Sequence, residues 1–155
     1  MSQRPTAVRV YGESGQMAGI EVIPFGFLTL VVGALLLLNA WEVVDAKLAV
    51  SAAAREATRS YVESSSESDA RQTATTAAET SLQGHGRDPR NLKLTITNEG
   101  GFNRCVLIAT TAEIEVPSIH LPFIGGFGRR FAVSSTHHEV IDPYRSGLSG
   151  EANCG

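Results

Sequence analysis

Residues that could do chemistry are few in this chain. His137, His138 and Glu139 form the densest group of metal-ligating types, but consecutive strand residues point to opposite faces, so only His137 and Glu139 can converge. Two ligands rarely hold a metal, and no Cys-x-x-Cys or second histidine cluster supplies more, so these residues are read as solvated strand polars. Gly125-Gly-Phe-Gly128 lacks the lysine and the serine or threonine of a phosphate loop, and no Gly-x-Ser-x-Gly elbow presents a nucleophile. No catalytic residue, metal or cofactor is assigned, and neither an enzyme nor a small-molecule substrate is expected.

Two other chemical features stand out. Cys105 and Cys154 are the only cysteines; outside the cytoplasm they can form a disulfide closing a loop worth roughly 4 kcal/mol, and two free thiols are the alternative. Glu21 opens a long apolar run, where an acid costs ~2.5–3.5 kcal/mol at a bilayer's centre and less near its edge. It therefore calls for a compensating partner, although the positive end of a helix N-terminus offers a simpler account.

The elements that must position these residues begin with Val22 to Trp41, 20 consecutive residues without a charge. At ~1.5 Å per residue they reach ~30 Å, the hydrocarbon thickness of a bilayer, and predict a membrane-spanning helix over 17–42. Pro24 lies near its start, where a missing N–H costs little, and Asn39 and Trp41 lie where an interfacial belt belongs. Arg4 and Arg9 precede the run, while Glu42 and Asp45 follow it, which places the N-terminus in the cytoplasm and the remainder outside. A cleaved secretory signal is the competing reading; its apolar core is shorter, but Ala46, Ala49 and Ala52 to Ala54 could mimic its small-residue cleavage site. The net charge of −3, without a basic patch, argues against nucleic acid as a partner.

Beyond Trp41, apolar residues recur every three or four positions through Val50, Ala53, Ala57 and Tyr61, so the helix is expected to continue as a stem. Arg59 and Glu63 are spaced to pair along it. Ser64 to Ser66 interrupt the pattern, and Asp69 with Gln72 resembles a capping box restarting a helix that ends near Leu82, before Gly84, Gly86 and Pro89, so that 43–83 holds a stem and second helix or one kinked helix. From Leu92 the period becomes two. Strands are expected over Leu92 to Thr97, Cys105 to Val116, and Phe131 to Ile141, within an antiparallel β domain and tail over 84–155. The fold class is thus α+β, with a three-stranded antiparallel sheet. Pro117 to Arg130 is read as a loop whose Ile119, Leu121, Phe123, Ile124 and Phe127 either fold over the sheet edge or dock on a partner or a membrane surface.

Gly19, Gly26, Gly33 and Ala40 recur every seven residues and line one narrow strip of the apolar helix. Such a strip allows close approach of another helix in lipid, although glycine is also simply common in membrane helices.

The stretch Gly15-Gln-Met-Ala-Gly-Ile-Glu21-Val-Ile-Pro-Phe, the apolar run, Asn39-Ala-Trp-Glu-Val-Val-Asp-Ala-Lys47 and Ala53-Ala-Arg-Glu-Ala57 together resemble TadE-like proteins of tight-adherence pilus systems, particularly the actinobacterial type. Leu121-Pro-Phe-Ile-Gly-Gly126 and Val140-Ile-Asp-Pro-Tyr-Arg-Ser-Gly147 are similar to the same group. The resemblance implies a minor pilin or pseudopilin, held in the bacterial cytoplasmic membrane or built into a surface filament. It also implies that other pilus subunits and assembly-machine proteins are partners. Residues 1–16 would be a leader removed by a prepilin peptidase around Gly15, Gln16 and Met17. Cutting after Gly15 leaves Glu21 sixth rather than fifth in the mature chain; cutting after Gln16 restores the count but gives up the glycine. Glu21 would then meet the free amine of a neighbouring subunit. A permanently anchored accessory protein and a secreted domain are the alternatives.

Overall fold

A computed structural model describes residues 22–121, 123–151 and 153–154. Gly15, Gln16, Met17, Gly19 and Glu21 lie outside them, as does the expected leader. The fold is α+β, with helices α1 (Val22–Val62) and α2 (Glu67–Gly84), a 3-10 turn at Pro89–Asn91, and strands β1 (Lys93–Asn98), β2 (Leu107–Leu121) and β3 (Gly125–Val140). The strands form one antiparallel sheet in the order β1-β2-β3. Two compact units meet in sequence between Leu37 and Leu38, and α1 contributes to both.

The described part of the first unit is helical from Val22 to Leu37, uncharged, and without a buried residue. Its one hydroxyl-bearing residue, Thr29, donates to the Phe25 carbonyl at 2.9 Å, so the polar group is satisfied within the helix.

In the second unit, α1 turns alanine-rich. Ala46, Ala49, Val50, Ala53, Ala54, Ala57 and Tyr61 are fully buried at helical spacing, as are Ala70, Ala74, Ala78 and Leu82 on α2. Side chains this small let the helices approach closely. The two run antiparallel: Ser64 and Thr73 share a hydroxyl bond of 2.7 Å at one end, and Arg87 reaches Glu42 and Asp45 at the other. The cap of α2 differs from the sequence expectation. Ser66 is the N-cap, accepting from the Asp69 N–H at 3.3 Å, and its hydroxyl donates to the Asp69 carboxylate at 2.8 Å. Asp69 is thus the partner three residues inside the helix, not the cap itself, because the serine run frees Ser66 to take the extended backbone a cap requires.

The inner sheet face is set by period-two alternation on β2: Ile108, Thr110, Ala112, Ile114 and Val116 are buried, flanked by Leu94 and Ile96 of β1 and Val133 of β3. Tyr61 spans from stem to sheet, its ring edge-on to Phe102 at 5.5 Å and its hydroxyl accepting from Asn98 Nδ2 at 3.1 Å. Large side chains such as Tyr61, Leu82, Ile108 and Ile141 each contribute ~1.5–3 kcal/mol on burial, but most of the helical core is alanine, which contributes less.

The segment read as a loop over Pro117 to Arg130 is mostly strand. β2 and β3 continue past the end of β1, at the Lys93–Glu113 pair, as a two-stranded hairpin down to Leu121 and Gly125, with an irregularity between Pro117 and Ile119. Proline is tolerated because that part of β2 has no partner strand on its other edge among the described residues. A Cβ on Gly126 would lie 2.4 Å from Pro117 Cγ, so glycine lets the strands close over the proline ring.

Candidate assembly surface

Three groups of residues define the surface through which this chain could meet other molecules. The first is the apolar part of α1. Ile23, Phe25, Phe27, Leu30, Leu36 and Leu37 are all more than two-thirds exposed, and no residue from Val22 to Trp41 is buried. Pro24 falls in the first described turn. Along the small-residue strip, a Cβ placed on Gly26 or Gly33 meets nothing within 4 Å, and Ala40 is exposed. The described part of the strip, from Gly26 to Ala40, is thus open in the single chain, with room for another backbone.

The second group is a polar collar at the first charges after the uncharged run. The chain leaves α2 through a Schellman turn, in which Gly86 adopts φ 70°, Gly86 N–H donates to Gln83 and Arg87 N–H to Leu82, both at 2.9 Å. That turn aims Arg87 back along α1. Its guanidinium donates to Glu42 Oε1 and to Asp45 Oδ2, each at 2.5 Å, with its side chain 16% exposed. Burial opposes the charged guanidinium, but the hydrogen bonds it donates to Asp45 and Glu42 outweigh it and hold Arg87 above its ordinary pKa. Lys47 of α1 donates to the Ser134 carbonyl, and Asn39 binds the backbone of His120 through both its amide atoms. Arg87 and Asn39 are the residues sequence reasoning missed as organisers. Arg87 sits in a Gly- and Pro-punctuated stretch with no pattern, and Asn39 reads equally well as an interfacial polar residue.

No family model, curated protein or solved structure matches this chain. The functional reading therefore rests on the residues themselves.

The third group is the tail. Cys105 and Cys154 are joined in a disulfide with Cα atoms 5.1 Å apart. Backbone bonds from Cys105 to Ile141, from Ile141 to Val106 and from Arg104 to Ser149, at 2.9 to 3.0 Å, lace the tail to the β1–β2 connection. Arg145 donates to the Val62 and Glu63 carbonyls, capping the C-terminal end of α1.

The remaining chemical candidates do not gather. His137 and Glu139 share the inner face of β3, opposite Thr110 and Ile108, while His138 lies on the outer face. There His138, Thr97, Glu99 and Ala109 line an open cleft of about 540 Å³. Among the described residues, no three His, Cys, Asp or Glu side chains are grouped to hold a metal.

Proposed function

We propose that this chain is a TadE-like minor pilin or pseudopilin, a structural component in the assembly of a bacterial surface pilus. The observation that carries the proposal is α1 itself. One uninterrupted helix begins with a charge-free stretch that buries nothing and continues as the alanine-lined spine of a disulfide-closed α+β domain. An apolar helix of this length, left without cover, is suited to lipid or to the helices of other subunits. A disulfide suits a domain held in an oxidising compartment, outside the cytoplasm. On this reading the chain sits in the cytoplasmic membrane with its N-terminus inside, a prepilin peptidase processes it near Gly15, and Glu21 pairs with the amine of a neighbouring subunit. The resemblance of residues 15–57 to TadE-like proteins supports the same assignment.

Terminal sequencing and intact mass of the membrane-extracted and filament-sheared protein test it. A chain beginning at Gln16 or Met17 in sheared filaments is the expected result. A full-length chain confined to the membrane would assign it to a permanently anchored accessory role, and a domain in the medium lacking residues 22–41 would assign it to a secreted one.

A further inference from the structure

The β2–β3 hairpin tip has a feature that pilus assembly does not account for. Ile119, Phe123, Ile124 and Phe127 are exposed together, with Phe123 fully so and Ile124 at 71%. No Asp, Glu, Lys or Arg lies between Glu115 and Arg129, and Arg129 and Arg130 follow immediately. A connected apolar tip of this kind on a small domain marks a contact surface. Phe123 also holds a φ of 68°, a left-handed backbone uncommon for a bulky residue, while its side chain stays fully exposed among the described residues.

The hairpin's attachment to α1 places this tip. Lys47 holds Ser134, well up β3, whereas Asn39, eight residues nearer the N-terminus of α1, holds His120 beside the tip. Within the second unit the hairpin therefore runs along α1 from Lys47 to Asn39, and its tip begins beside Asn39, two residues from the 70% exposed Trp41 that closes the charge-free run. At ~3.3 Å per residue, Arg129 and Arg130 stand roughly 7–10 Å above Phe127 along β3, about the depth of the headgroup layer above acyl chains.

We infer that the hairpin tip is a second membrane contact. Phe123, Ile124 and Phe127 enter the interfacial zone of the leaflet facing the folded domain, and Arg129 and Arg130 take anionic headgroups. The inference rests on α1 spanning the bilayer. The order of chemistry favours lipid over a protein partner: an apolar tip, then a pair of cations, at the height where the helix's own apolar surface ends. The tip would restrain tilting of the domain about the helix.

Depth-dependent quenching tests this. Trp41→Phe removes the single tryptophan, after which Phe123→Trp reports the tip and Leu36→Trp reports the helix. The full chain is reconstituted in phosphatidylethanolamine–phosphatidylglycerol vesicles with lipids brominated high on the acyl chain. An intact Cys105–Cys154 disulfide and retained circular dichroism confirm folding, and Ile124→Trp serves if Phe123→Trp misfolds. The expected result is a blue-shifted emission from the tip probe, quenched by bromolipid, as for Leu36→Trp. Quenching at Leu36→Trp with a water-exposed tip overturns the tip contact alone. No quenching at either probe overturns the membrane span and the tip contact together. A blue-shifted tip that bromolipid does not quench overturns lipid in favour of a second copy or another protein.

Discussion

Asn39 of α1 and His120 of β2, 81 residues apart, are joined by two hydrogen bonds: Asn39 Oδ1 accepts from His120 N–H at 2.6 Å, and Asn39 Nδ2 donates to the His120 carbonyl at 3.2 Å. A side-chain amide here takes the place of a neighbouring strand. Below the end of β1 the outer edge of β2 has no partner strand among the described residues, and the carboxamide supplies one donor and one acceptor in the geometry of a peptide unit.

Asn39→Ala removes both bonds and is expected to destabilise the hairpin by about 1–2 kcal/mol. Asn39→Asp keeps the acceptor but places a carboxylate against a carbonyl, so it should cost at least as much. Limited proteolysis around residues 121–125 measures the effect; unchanged cleavage of both variants would show that the hairpin stands without α1.

Arg87→Ala leaves Glu42 and Asp45 adjacent and without their cation. A loss of about 2 kcal/mol is expected, between the worth of exposed and buried pairs. Arg87→Lys should recover only part of it, since an ammonium cannot serve both carboxylates with one planar fork. Chemical unfolding of the three proteins at low and high salt checks this: the gap between wild type and Arg87→Ala should narrow as salt rises.

Reduction of Cys105–Cys154, or the double change Cys105→Ser with Cys154→Ser, opens a link across 49 residues. The chain-entropy model assigns such a loop about 4 kcal/mol, large against a helical core built mainly of alanine. Thermal unfolding with and without reductant reads the loss. A midpoint that reductant leaves in place would mean that the tail's backbone bonds and Arg145 suffice.

Thr110 is fully buried, and its Oγ1 has no hydrogen-bond partner among the described residues. Thr110→Val keeps the shape and removes the unpaired hydroxyl, so a gain of about 1 kcal/mol is expected from denaturant unfolding. A loss instead would reveal a bond from that hydroxyl that forms only in solution.

Gly33→Leu adds a side chain where nothing lies within 4 Å, so the isolated chain should fold and insert unchanged. If the strip packs on another helix, co-purification of partners should fall. Equal recovery from wild-type and Gly33→Leu membranes would remove the strip from the proposed assembly surface.

Features that depend on near neighbours in the chain were legible before any coordinates. The charge-free run is a matter of composition over 20 residues. The three- and four-residue recurrence from Ala46 to Tyr61 and the alternation on β1 and β2 express a local periodicity, and each became the element it implied. The stretch over Pro117 to Arg130 misled because glycine and proline there read as breakers. Whether they break a strand depends on which edge is paired and how closely the facing strand must come, and neither is local. The roles of Asn39 and Arg87 were hidden for a related reason: an asparagine at a helix end or an arginine after a turn has many common uses.

The sequence by itself determined that one long apolar helix leads into an α+β domain with a three-stranded sheet, because helix and strand periods are written residue by residue. Only the tertiary structure decided that Ser66 caps α2, that β2 and β3 outrun β1 as a hairpin with an exposed aromatic tip, and that Asn39 and Arg87 tie hairpin and helix turn to α1. The Arg87 and Asn39 pairings join residues 42 to 81 positions apart, and they are selected by which unpaired donors and acceptors meet once the core has closed.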